Sequence, residues 1–345
     1  MPLRSPLVLG AALVALMVAS PAFAAPQVLT TIKPLHSLVA GVMDGVGEPE
    51  LLIDGAASPH GFSMRPSDAA RLEGAEVVFW IGAGLETFLD GALQTLASDA
   101  SVVAMMDVEG MTILELREGG RFEEHDHDHD DHDDHGGDEH NHAEDHENPG
   151  DDDHEHQGED HDHHEHDDDA HDHDHGDAHI WLDPQNARLM VAAIVDALGT
   201  ADPENAAIYN DNGQAIAARL NELEARIGEQ LEPVRGKPFF LFHDAYHYFE
   251  ARFGIEASGT FTVNPEVAPG AGRLTEIREM VEAEEAVCLF AEPQFSPQVI
   301  DTIAEGTGAR LGELDPLGAA IPEGPELYFT LIETMAQSLA DCLAD

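Results

Sequence analysis

Short runs of apolar residues punctuate the chain at 28–32, 51–53, 77–81 and 101–105. They recur at 239–242, 255–260, 287–291 and 310–314. Between them lie stretches in which apolar positions return every three or four residues, the spacing of a helix with one buried face. Such helices are predicted from Pro34, Pro66 and Leu85 in the first half, and over 246–253, 274–284, 297–305 and 325–343 in the second. Strand and helix alternating in this way is the signature of α/β layering, and the two halves repeat it. The chain is therefore expected to form two similar α/β lobes, an N-terminal one over 25–201 and a C-terminal one over 233–345.

The segment between the lobes, 202–232, reads as one long rigid helix. Pro203 stands in its first turn behind Asp202, a residue that can cap it. Ile216, Leu220, Leu223, Ile227 and Leu231 line one face. At 1.5 Å per residue the helix would run ~45 Å, enough to lie along both lobes. A connector that stiff leaves little room for hinge opening.

Two segments stand outside this pattern. At the N-terminus Arg4 precedes an apolar run over 7–18 and then Ala22-Phe23-Ala24, the layout of a secretory signal peptide over 1–24 with Ala25 as the mature start. The run is too short to span a membrane, which takes ~20 apolar residues, and no cysteine near the cleavage site indicates a lipid anchor. The mature chain is expected to be soluble and exported to a periplasm. The other segment, 123–177, holds 17 of the 22 histidines and 27 of the 69 acidic residues, with no Lys or Arg. With so few apolar side chains it cannot bury surface to offset its chain entropy, so it reads as a disordered insertion. Imidazole and carboxylate are ligands for divalent cations, and alternation such as His125, His127, His129 and His171, His173, His175 makes the insertion a loose, many-site metal sponge.

The net charge of -54 excludes nucleic acid as a partner and disfavours anionic membrane surfaces. Cys288 and Cys342 are the two cysteines, and an isolated pair in an oxidising compartment reads as a disulfide tying the C-terminal helix to a core strand. Zinc ligation by the pair lacks any C-x-x-C spacing.

An ordered metal site needs ligands that converge from separate parts of the fold. Outside the sponge the histidines are His36, His60, His179, His243 and His247. His60, His179, His243 and Asp315 are expected at equivalent positions, at strand C-terminal ends or in the loops after them, two in each half, where open α/β sheets bind ligands. His36 lies inside the first helix and reads as packing. His247 follows His243 by four and is a weaker candidate.

These residues sit in motifs that resemble the zinc-specific solute-binding proteins of ABC importers, the ZnuA type. The matching segments include Ser58-Pro59-His60, Met64-Arg65-Pro66-Ser67-Asp68 and His179-Ile180-Trp181-Leu182-Asp183-Pro184. Further matches are Phe242-His243-Asp244-Ala245-Tyr246, Phe261-Thr262-Val263-Asn264-Pro265-Glu266, Ala291-Glu292-Pro293-Gln294-Phe295 and Leu314-Asp315-Pro316-Leu317-Gly318. The resemblance implies two lobes with one Zn2+ in the cleft between them, ligands His60, His179 and His243, and an acidic residue near the metal at Asp315. It also implies the Cys288–Cys342 bridge and a membrane permease of an ABC importer as partner to a monomeric, non-enzymatic receptor. His243 favours zinc over manganese, because manganese-binding relatives tend to carry a carboxylate there. Pro59 departs from members with Glu at that place. Three other functions share parts of this pattern: zinc storage without a transporter, a manganese or nickel receptor, and a zinc hydrolase. The hydrolase lacks an H-E-x-x-H helix or an assignable general base.

Overall fold

The computed structural model describes residues 25–117, 176–262, 265, 270–296 and 298–344. The expected signal peptide, and the His-rich insertion apart from its last two residues, lie outside the described residues.

Two parallel four-stranded sheets organise the chain. The first is built from β1 (Val28–Thr30), β2 (Glu50–Leu51), β3 (Val77–Trp80) and β4 (Ser101–Ala104), in the order β2-β1-β3-β4. Helices α1 (Lys33–Val42), α2 (Pro66–Gly74) and α3 (Asp90–Leu96) connect them. After α4 (Pro184–Ala201) and α5 (Ala206–Leu231) comes the second sheet: β5 (Phe239–His243), β6 (Gly259–Thr262), β7 (Cys288–Ala291) and β8 (Arg310–Glu313), in the order β6-β5-β7-β8. Its helices are α6 (His247–Phe253), α7 (Ala271–Ala283), α8 (Gln298–Ala304) and α9 (Leu327–Leu343). The shared strand order makes the two lobes copies of one architecture. β3 and β5 are buried along their whole length, and their near-continuous apolar sequences suit strands covered on both faces.

The predicted connector is shorter than the sequence pattern suggested. Asp202 ends α4 instead of opening the long helix: its Oδ2 accepts hydrogen bonds from Asn205 Nδ2 (2.7 Å) and Tyr209 Oη (2.9 Å), fixing a turn before α5. The remaining helix has 26 residues, about 39 Å at the usual rise. Its predicted apolar face is buried as expected, and α5 packs against both α1 and α9, one helix from each lobe. The strand expected over 255–260 begins four residues later. Gly254 takes the left-handed conformation (φ 65°) that closes α6, and the following residues are used in returning the chain to the sheet, where the Ser258 N–H bonds Phe239 O. Cys288 on β7 and Cys342 on α9 form the expected disulfide.

Further ties lock the lobes together. The buried Lys33 at the start of α1 donates to the carbonyls of Gly318 (2.9 Å), Ala319 (3.1 Å) and Ile321 (2.7 Å), in the loop that follows β8. Lys33→Met would remove all three bonds and leave carbonyls without their charged donor. It is expected to lower stability by about 3 kcal/mol, read as a fall in the urea midpoint at constant slope. An unchanged midpoint would show that the tie is not structural.

Candidate metal centre

The apolar strand β5 carries His243 at its C-terminal end, where the residue is 5% exposed. His60 comes from the loop between β2 and α2, partly exposed. His179 follows the insertion and precedes a 3-10 turn, Ile180–Leu182, that leads into α4. It stands at no strand end, so the expected equivalence of strand-end positions holds for His243 and Asp315 but not for His179. The three rings meet nonetheless: one ligand atom from each lies within 4.8 Å of the others. Ring centroids are 5.3 Å (His60–His179), 5.4 Å (His179–His243) and 5.9 Å (His60–His243) apart, and the Nε2 atoms of His60 and His179 are 3.3 Å apart.

Two buried carboxylates orient two of these rings. Asp177 Oδ1 accepts from His179 Nδ1 (2.7 Å) and from the His179 backbone N–H (3.0 Å). Glu292 Oε1 accepts from His243 Nδ1 (2.6 Å). With Nδ1 carrying the proton, Nε2 of each ring keeps its lone pair for the centre, the arrangement usual for metal-binding imidazoles. The Nε2 of His243 is buried with no hydrogen-bond partner. An orphaned acceptor in a dry site calls for an explanation, and a cation supplies one.

The electrostatics differ between the rings. Burial, and then the neighbouring His179 and His243, push the pKa of His60 down to about 3, so its ring is neutral and ready to coordinate. Burial opposes charge on His179 too, but the carboxylate of Asp177, with Asp244 and Glu292 beyond it, outweighs that effect and raises its pKa. The rings line a small, partly open pocket of about 10 Å3, one water-sized sphere, shared with Ser58, Pro59, Trp181, Phe295, Pro316 and Leu317.

Asp315 is not gathered with the histidines. Its Oδ1 accepts from Gln294 Nε2 (2.7 Å) and from the amides of Leu317 and Gly318 (3.0 Å each), and its Oδ2 from the amide of Ala319 (2.5 Å). It shapes the loop that supplies Pro316 and Leu317 to the cavity, and Trp181 Nε1 donates to Pro316 O (2.8 Å) from the other side. His36 packs in α1 with Nε2 against Pro49 O (3.1 Å). His247 opens α6 behind Asp177, outside the three-ring cluster. Sequence reasoning treated Asp177 as the end of the sponge and met Glu292 only inside a shared motif. The Asp-x-His spacing was a usable signal for the first, because an aspartate often bonds the backbone two residues on. Glu292, 49 residues from its ring partner, offered no local signal.

With that geometry in hand, comparison with known proteins is decisive. The model of a family described as "ZnuA: Zinc-uptake complex component A periplasmic" matches residues 28–342. The chain belongs to this family. Among curated relatives, a high-affinity zinc uptake system protein ZnuA of Brucella suis biovar 1 (strain 1330) is 51% identical over 317 residues, covering 92% of this chain and 91% of that protein. The protein of the same description from Yersinia pestis is 38% identical over 340 residues, 95% of each chain. Among solved structures, "Crystal structure of ZnuA" superposes with a TM-score of 0.69 at 21% identity, covering 92% of this chain and all of the other. A solute-binding protein, FpvC from Pseudomonas aeruginosa in complex with Mn2+, gives 0.68 at 18% identity, covering 92% of this chain and 98% of its own. These structural likenesses establish the shared two-lobed fold of the ZnuA family and its relatives.

Proposed function

We propose that this ZnuA-family chain is a periplasmic zinc receptor that captures one Zn2+ on His60, His179 and His243 and passes it to the permease of an ABC importer. The observation that carries the reading is the meeting of three imidazoles from distant parts of the chain, two of them held by buried carboxylates, around a space for one ion. Three nitrogen donors suit zinc and leave manganese, which prefers oxygen, poorly served. The fourth position falls to water, because the oxygens of Asp315 are already taken by Gln294 and three amides.

Binding without catalysis fits the same geometry. Each of the nearest carboxylates, Asp177 and Glu292, has one oxygen engaged with a ring nitrogen that it orients, a supporting role rather than that of a free general base. The acidic, His-rich insertion would gather cations near the site and serve as a reservoir.

Deleting residues 123–175, which leaves Asp177 in place, should spare the tight site while removing the weaker ones. Competition with a chromophoric chelator is expected to show one zinc per chain at a dissociation constant of nanomolar order, about -12 kcal/mol. X-ray absorption of the loaded protein should then show imidazole nitrogens without a protein carboxylate. Loss of the tight equivalent on deletion would move the working site into the insertion and overturn the proposal.

A further inference from the structure

Behind the centre two polar atoms face each other without partners. Asp177 Oδ2 and His247 Nδ1 are both buried, both lack a hydrogen bond, and lie 3.9 Å apart. Asp177 is 1% exposed, and its other oxygen already carries both His179 contacts. A buried carboxylate oxygen left unbonded is costly, as is a buried ring nitrogen. The other donors around it are occupied. Tyr248 Oη donates to the backbone carbonyl of Asp177 (2.6 Å) and accepts from the Leu114 N–H (3.0 Å), while Arg117 is paired with Asp244 and Glu250. The imidazole of His247 can supply the missing proton by choice of tautomer.

We infer that His247 is a positioning residue of this centre: through Nδ1–H it holds the second oxygen of Asp177, and so fixes the ring of His179 for the ion. Closing the gap to hydrogen-bond length takes about 1 Å, the scale of a small side-chain rotation. The link has a structural logic. β5 ends in His243 and α6 begins with His247, so one short connection sets both a ligand and the support of another ligand. The inference rests on the proposed zinc reading.

Three variants of the full-length chain test it: His247→Ala, His247→Asn and His247→Gln. The Asn amide nitrogen falls where Nδ1 lies, whereas that of Gln reaches the Nε2 position. In chelator competition stringent enough to strip the insertion, His247→Ala should weaken zinc binding about 3- to 10-fold. That is less than the 10–100-fold typical of a ligand's direct hydrogen-bond partner, because His247 acts one contact further out. His247→Asn should restore affinity and His247→Gln should not. In the zinc-loaded, 15N-labelled protein the Nδ1–H signal of His179 should weaken in the Ala variant and recover with Asn. Wild-type affinity and signal in His247→Ala, or equal rescue by Asn and Gln, would overturn the inference. So would the loss of one bound zinc in His247→Ala, which would make His247 a ligand. His60→Ala serves as the control. If it binds as tightly as wild type, the zinc reading itself fails; if it loses the tight site while His247→Ala is unchanged, only the positioning role fails.

Discussion

His243→Ala is expected to abolish nanomolar zinc capture, raising the dissociation constant a hundred- to a thousandfold. In the proposed site three protein ligands carry the ion, and removing one should forfeit a share of the total of about 3–4 kcal/mol, at 1.4 kcal/mol per factor of ten. The loss is compounded from behind, since Glu292, 4% exposed, would keep a buried carboxylate with its imidazole partner gone. Glu292→Gln retains a neutral acceptor for the ring and should land in between, at 10- to 100-fold. Chelator competition on the three proteins measures the series. A dissociation constant for His243→Ala within threefold of wild type would remove His243 from the ligand set.

Replacing both Cys288 and Cys342 with Ala should have the largest effect on stability. The bridge closes a loop of 54 residues between a buried strand and the last helix. Chain-entropy bookkeeping assigns such a loop about 4 kcal/mol. For a body of this size that corresponds to a fall in Tm of roughly 10 °C. The measurement belongs in zinc-free buffer, because an ion present at a thousand times its dissociation constant returns about 4 kcal/mol by mass action. A fall of under 2 °C would show that the packing of α9 on α1 and α5 holds the helix without the bridge.

Much of this architecture was legible from periodicity. Parallel strands buried on both faces need uninterrupted apolar runs, and the run ending at His243 announced both β5 and the histidine at its tip. The seam of α5 was equally plain, because Ile216 through Leu231 keep a helical spacing that only burial demands. Its start was not, because Asp202 reads equally well as the cap of a new helix and as the end of the old one, and Tyr209 decides between them from the far side of the turn. The three histidines that converge stood out because the motifs around them are local and dense. What the sequence hid was the layer behind them: the partners of Glu292 and Lys33 lie 49 and 285 residues away, and the turn that aims Asp315 at the amides of its own loop carries no periodic signal.

The tightness of the space between the rings has a kinetic consequence. A zinc ion in solution travels inside a shell of water, and a cavity with room for about one such molecule cannot admit that shell. At the proposed site dehydration would accompany entry, each departing oxygen being exchanged for an imidazole nitrogen, so that uptake would be paced by ligand exchange rather than by diffusion.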